Sequence, residues 1–177
     1  MGWADEVLSF WFGLEPEQWW KADPALDDAV RTRFLEIWQE QRENVPEHFF
    51  GSAHEALAAV ILFDQFPRNM FRGHADQFST DPLALAIARA AVERGYDDSL
   101  GSEQRVFLYM PFQHSENLAD QQRSLALFTA LGSDYHLGYA KKHHDVVERF
   151  GRFPHRNIIL GRKPRQGEAQ AGDVVPW

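Results

Sequence analysis

The chain contains no cysteine. That excludes disulfides, thiolate metal sites and a catalytic thiol together, and it suits a reducing compartment. Long hydrophobic runs are missing too: the apolar stretch at residues 57–63 falls far short of the about 20 residues that cross a bilayer. The N-terminus lacks the lysine or arginine of a secretory signal and carries Asp5 and Glu6 instead. These absences predict a cytoplasmic protein with no membrane partner. There is no H-E-x-x-H, no G-x-G-x-x-G and no Walker loop, so no cofactor and no metal site is assigned. No segment alternates apolar and polar residues long enough for a strand, which leaves helices.

Helix signals are plentiful. A short apolar segment from Ala4 to Phe12 is ended by Gly13. Asp23-Pro24 supplies an N-cap and a proline at the first helical position, where its missing N–H costs nothing. Leu26, Val30, Phe34, Ile37 and Trp38 then recur at helical spacing to about Glu43. Ser52-Ala53-His54-Glu55 reads as a capping box opening a helix to about Gln65, apolar nearly all round and therefore central and buried. Thr80-Asp81-Pro82 starts another that Gly95 ends, and Ser102 starts one through Phe107 and Met110. Asn117 to Leu131 is closed by Gly132, and Asp134 to Phe150 by Gly151. The expectation is an all-α fold of about seven helices in antiparallel hairpins, a bundle or helical array. A length of 177 residues fits one domain, here residues 1–160, followed by an extended or partly disordered tail at 161–177.

The net charge of −8 argues against nucleic acid. It is unevenly spread: residues 1–140 hold 10 Lys/Arg against 22 Asp/Glu, a balance of −12, and residues 141–165 hold 8 against 2, a balance of +6. A local basic cluster on an acidic chain fits a small anionic metabolite; a solvated basic surface is the plainer alternative.

Polar residues stand where apolar stripes should be. On the last long helix Tyr135, Tyr139, Val146, Val147 and Phe150 mark the apolar face, with His136 and His143 in its middle. These two histidines, about 10 Å apart along the axis, cannot share one metal ion. On the preceding helix Gln121 falls among Leu118, Leu125 and Phe128, and a glutamine buried without partners would cost about 1–3 kcal/mol. Asp64 and Gln65 continue the buried face of the central helix. A buried aspartate needs an arginine, and Arg68, Arg152 and Arg156 are the candidates.

Three segments pair an aromatic-rich helix with a proline: Phe63-Asp64-Gln65-Phe66-Pro67-Arg68-Asn69, Tyr109-Met110-Pro111-Phe112-Gln113-His114-Ser115-Glu116 and Phe150-Gly151-Arg152-Phe153-Pro154-His155-Arg156-Asn157. The first and third share F-x-x-F-P, and in both the proline is expected to end the helix. Two readings stay open. One is a shared pocket holding a carboxylate or phosphate on two or three arginines; the other is a buried salt-bridge network pinning helix ends. His114 with Glu116 has the types for an acid–base pair, while His143-His144-Asp145 is metal-compatible in composition alone. Exposed aromatics among Trp3, Phe10, Trp11, Phe12, Trp19 and Trp20 would allow a homodimer.

Those three segments, with Ala119-Asp120-Gln121, the opening VLSFWFG at 7–13 and LGR at 160–162, resemble the bacterial domain-of-unknown-function family numbered 924. The resemblance implies an all-α fold similar to tetratricopeptide-type superhelices and brings no established activity. It implies polar positions at Asp64, Gln65, Arg68, Asn69, Gln113, His114, Ser115, Glu116, Asp120, Gln121, Arg152, His155, Arg156 and Asn157. After LGR this chain departs from the family, with Lys163-Pro164-Arg165-Gln166 in place of a helix-starting stretch. The candidate ligand-binding set is Asp64, Gln65, Arg68, Asn69, Tyr109, Gln113, Gln121, His143, Arg152, Arg156 and Asn157, with His114 and Glu116 nearest any acid–base step. The competing expectation is a protein-interaction module whose buried polar residues are structural; metal-dependent chemistry at His143 or His114 is a third.

Overall fold

The protein is described by a computed structural model over residues 2–168. Seven α-helical elements and no strand occur among the described residues: α1 (Trp3–Trp11), α2 (Pro24–Gln41), α3 (residues 53–70), α4 (Asp81–Glu93), α5 (Ser102–His114), α6 (Leu118–Leu131) and α7 (Asp134–Phe150). The chain divides into two compact units, Met1–Leu108 and Tyr109–Trp177, and the division falls within α5.

The first unit is built around α3, against which α1, α2 and α4 pack. Every residue from Ala56 to Phe66 is buried, as a helix apolar on all sides requires. Each fully buried Val, Leu, Ile or Phe there contributes about 1.5–3 kcal/mol. Ser52 caps the helix by accepting from the Glu55 N–H at 3.1 Å, and Asp23 caps α2 by accepting from the Ala25 N–H at 2.9 Å.

The predicted end of α3 at Gln65 is overrun: the helix continues to Met70 through one π-helical turn at Ile61–Gln65. Pro67 has no N–H to give the Phe63 carbonyl one turn back. The helix widens, so that the Phe66 N–H reaches Ile61, and side chains supply donors to the next carbonyls. The Thr80 hydroxyl donates to Phe63 O at 2.7 Å, and the Arg68 guanidinium donates to Asp64 O. Thr80, in the segment that starts α4, makes no side-chain capping bond there; its oxygen accepts from Trp38 Nε1 at 3.2 Å. Pro111 likewise sits inside its helix, and α5 runs on to His114.

In the second unit α6 and α7 form a hairpin across Gly132 and Ser133. Gly132 takes a left-handed φ of 75° at the end of α6, and Gly151 takes 68° at the end of α7, positions where any side chain would be strained. The core includes Tyr109, Phe112, Leu127, Phe128, Val146, Val147 and Phe153. The expected α6 stripe is only partly right. Phe128 is buried, but Leu118 is exposed, and Asp120, Gln121, Ser124 and Leu127 share the inward positions with Phe128. On α7 Tyr135 is exposed and the buried face is Ala140, His143, Val146 and Val147.

The segment after Leu160 has no regular secondary structure at 162–165. It nonetheless returns to the end of α7, where Glu168 is buried. The rest of the tail expected at 161–177 lies outside the described residues from 169 onward.

Candidate functional site

The last carbonyls of a helix have no intrahelical donors, and at the end of α5 two side chains provide them. Gln121 Nε2 donates to Gln113 O and to Ser115 O, both at 2.7 Å. Arg156 Nη2 donates to His114 O at 3.1 Å. Gln121 comes from α6 and Arg156 from the 3-10 turn after α7, so the 109–116 and 150–157 motifs meet around His114. The Phe153 N–H also donates to Glu116 Oε1 at 2.8 Å.

His143 reaches this cluster from α7. Its ring centre lies 6.1 Å from that of His114 and 5.7 Å, edge-on, from Phe153. His143 Nδ1 stands 2.8 Å from the Tyr139 carbonyl. A carbonyl only accepts, so Nδ1 carries the proton and Nε2 of the neutral ring is an acceptor. Burial, with His114 and Arg156 nearby, pushes the His143 pKa down to about 2. Burial and then Arg156 push His155 down to about 4. Both imidazoles are therefore neutral at pH 7.

Glu116 is differently placed. Burial works to raise its pKa, but the Arg162 guanidinium and the Phe153 N–H prevail and hold it below the ordinary carboxylate range. Arg162 grips both oxygens, at 2.6 and 2.9 Å. A carboxylate fixed in this way organises the loop.

On α6, Gln121 and Ser124 are both 0% exposed. Gln121 Oε1 and Ser124 Oγ have no hydrogen-bond partner among the described residues. One helical turn apart, they put two unsatisfied polar oxygens on the same buried face, each costing about 1–3 kcal/mol if nothing else meets it. Tyr109 stands edge-on to Phe128 at 5.9 Å, and Gln113 is buried.

The remaining candidates hold one another. Arg152 donates through Nε and Nη2 to the two oxygens of Glu168, both at 2.7 Å, and Asn157 Nδ2 donates to Glu168 at 2.9 Å. In the first unit Arg68 makes a two-pronged pair with Asp81, both bonds 3.0 Å, and lies 3.5 Å from the buried Asp64 carboxylate. Burial would lower the Arg68 pKa, but Asp64 and Asp81 outweigh it and raise it. Gln65 donates to Asp64 at 2.6 Å and Asn69 to Asp27 at 2.8 Å. Among the described residues, one mixed set has metal-compatible spacing: His144, Asp145 and Glu148, with ligand atoms within 4.8 Å of one another. Asp145 and Glu148 are exposed, and we assign no metal there.

The family model for "Bacterial protein of unknown function (DUF924)" matches residues 7–171. The chain belongs to this family. Its fold is similar to that of a protein of unknown function from Agrobacterium tumefaciens, with a TM-score of 0.87, 41% identity and 95% of each chain covered. No curated protein matches. The motif at 63–69 mends a proline-broken helix; from 109–121 and 150–157, Gln121 and Arg156 converge on the end of α5 at His114, while Arg152 and Asn157 hold Glu168.

Four contributors escaped the sequence reading. Ser124 lies one turn beyond Gln121, and that spacing could have flagged it. Asp81 was hidden by its position at a helix start, where an acid serves the dipole. Arg162 and Glu168 sit in a stretch without periodicity, and no local pattern marks their partners.

Proposed function

We propose that residues 109–168 bind a small polar molecule bearing a carboxylate or phosphate at the cluster of His114, His143 and Arg156. The observation that carries this is the pair of fully buried oxygens, Gln121 Oε1 and Ser124 Oγ, without partners among the described residues. Such groups are rare in native interiors and call for a water or a ligand donor. The balance of +6 over residues 141–165 suits the anionic group, while the neutral His143, whose Nε2 accepts, suits a hydroxyl or N–H donor elsewhere on the ligand. The anion contact in this reading is made by Arg156, which stands at the cluster with its Nη2 on His114 O, while Arg68 and Arg152 are held by Asp81 and Glu168. His114, beside His143, is the group placed for an acid–base step. A cytoplasmic metabolite is the expected ligand.

The test is a thermal-shift screen of untagged protein against carboxylate and phosphorylated metabolites. At one hundred times its dissociation constant a ligand stabilises by about 2.7 kcal/mol, which moves the melting temperature by several degrees. The shift should vanish in Arg156→Lys and persist in Arg68→Ala. A second reading, a tetratricopeptide-like protein-interaction module, draws on the exposed Trp20, Tyr135 and Ile158. It gains if no compound shifts the protein while a partner co-purifies in stoichiometric amount.

A further inference from the structure

Residues 162–168 read Arg-Lys-Pro-Arg-Gln-Gly-Glu and contribute no apolar side chain to the core except what Pro164 offers, which is exposed. Two polar clamps hold them instead. At one end Arg162 donates to both oxygens of Glu116, to Phe153 O at 3.0 Å and to Asn157 Oδ1 at 3.0 Å. At the other, the buried Glu168 accepts from Arg152, from Asn157 and from the Arg165 N–H at 2.7 Å. Midway, Arg152 Nη2 donates to Lys163 O at 2.8 Å. Between the clamps the residues at 163–167 are exposed.

Apart from Glu116 and the strap's own Arg165, every clamp partner lies within the 152–157 segment that walls the histidines. Phe153 is edge-on to His143, its N–H is held by Glu116, and its carbonyl is held by Arg162. We propose that residues 162–168 are a releasable strap that gates the His114–His143 site: clamped, it fixes Phe153 over His143; released, it lets that loop move. The gating role rests on the ligand-site reading above. The physical basis is the kind of adhesion involved. A segment tied by ion pairs and hydrogen bonds, with almost no apolar burial, opens locally at a cost well below global unfolding. It exchanges its clamps for water without exposing a core.

Hydrogen–deuterium exchange on the full chain tests this without any ligand. In the wild type, the amides of Arg162, Arg165 and Glu168, all hydrogen-bonded, should exchange at least tenfold faster than the central amides of α6 and α7. Glu168→Ala should speed them at least tenfold further and leave those helices unchanged. Diethylpyrocarbonate should then modify His143 several-fold faster in the variant. Strap amides that exchange only together with α7 in the wild type would overturn the proposal, even if Glu168→Ala failed to fold. So would a strap that opens in the variant while His143 reactivity stays constant. A ligand screen that finds nothing, beside an opening strap and a newly reactive His143, would count against the ligand and leave the strap standing.

Discussion

Thr80 and Phe63, 17 residues apart, share one hydrogen bond of 2.7 Å, hydroxyl to main-chain carbonyl. It replaces the bond that Pro67 cannot make, and Trp38 completes the relay by donating its indole N–H to the same hydroxyl at 3.2 Å. Thr80→Val keeps the shape and strands both the carbonyl and the indole, at about 1–3 kcal/mol for each stranded group. Thr80→Ser should retain most of the stability. Urea denaturation of the two variants checks the difference, and equal midpoints would show that the relay is idle.

Arg68 faces Asp64, which is fully buried, and Asp81. Removing the arginine leaves Asp64 as a buried charge without its main partner. Arg68→Ala should therefore cost about 3 kcal/mol, the low end for breaking a buried pair because the arginine is partly exposed. Adding Asp64→Asn should recover part of the loss. A double-mutant cycle with no coupling would remove the pair from the account of the α3 break.

Acid should weaken the second unit in a defined window. The folded pKa values of His143 and His155 are about 2 and about 4, each below the ordinary 6.5. Below pH 6.5 only the unfolded chain takes up these protons, so stability falls as pH falls. For His155 the loss levels off near pH 4, and for His143 it continues toward 2. Each proton adds at most about 1.4 kcal/mol per pH unit, less for the half-buried His155 because solvent screens it. Glu168, held at about 2 chiefly by Arg152 against an ordinary 4.5, adds a second loss that begins below pH 4.5. His143→Gln should flatten the slope between pH 6 and 4.5 by nearly one proton, as read from urea midpoints across that range.

Ser124→Ala separates a ligand oxygen from a structural one. The hydroxyl has no partner among the described residues, so its removal should leave the melting temperature of the ligand-free protein unchanged or raise it, by up to about 1 kcal/mol. The same change should weaken the shift produced by any ligand found in the screen. A loss of 2 kcal/mol or more in the ligand-free protein would mean that the hydroxyl is already satisfied.

Much of the fold was legible because it depends on local chemistry. Ser52 and Asp23 cap the helices their positions predict, Gly132 and Gly151 end theirs, and the apolar run of α3 lies at the centre of its unit. The error at Pro67 is instructive. Proline removes a donor, and sequence can say that a carbonyl is left over; it cannot say that a hydroxyl 17 residues further on will take it. The same limit governed the α6 stripe, where Leu118 carried the apolar signal but Ser124 went inside.

The candidate site divides in the same way. That Gln121 and His143 would be buried followed from helical periodicity, which is fixed by the backbone. Which arginine serves which carboxylate did not follow. Arg152 finds Glu168, Arg162 finds Glu116 and Arg68 finds Asp81, at separations of 16, 46 and 13 residues. Sequence by itself determined an all-helical chain, its helix starts and stops, and a surplus of polar groups facing inward, because each depends on residues within a turn of one another. Tertiary structure alone decided how those groups pair and which oxygens stay unpaired, because a charge or a donor is satisfied by what lies near it in space, at whatever distance along the chain.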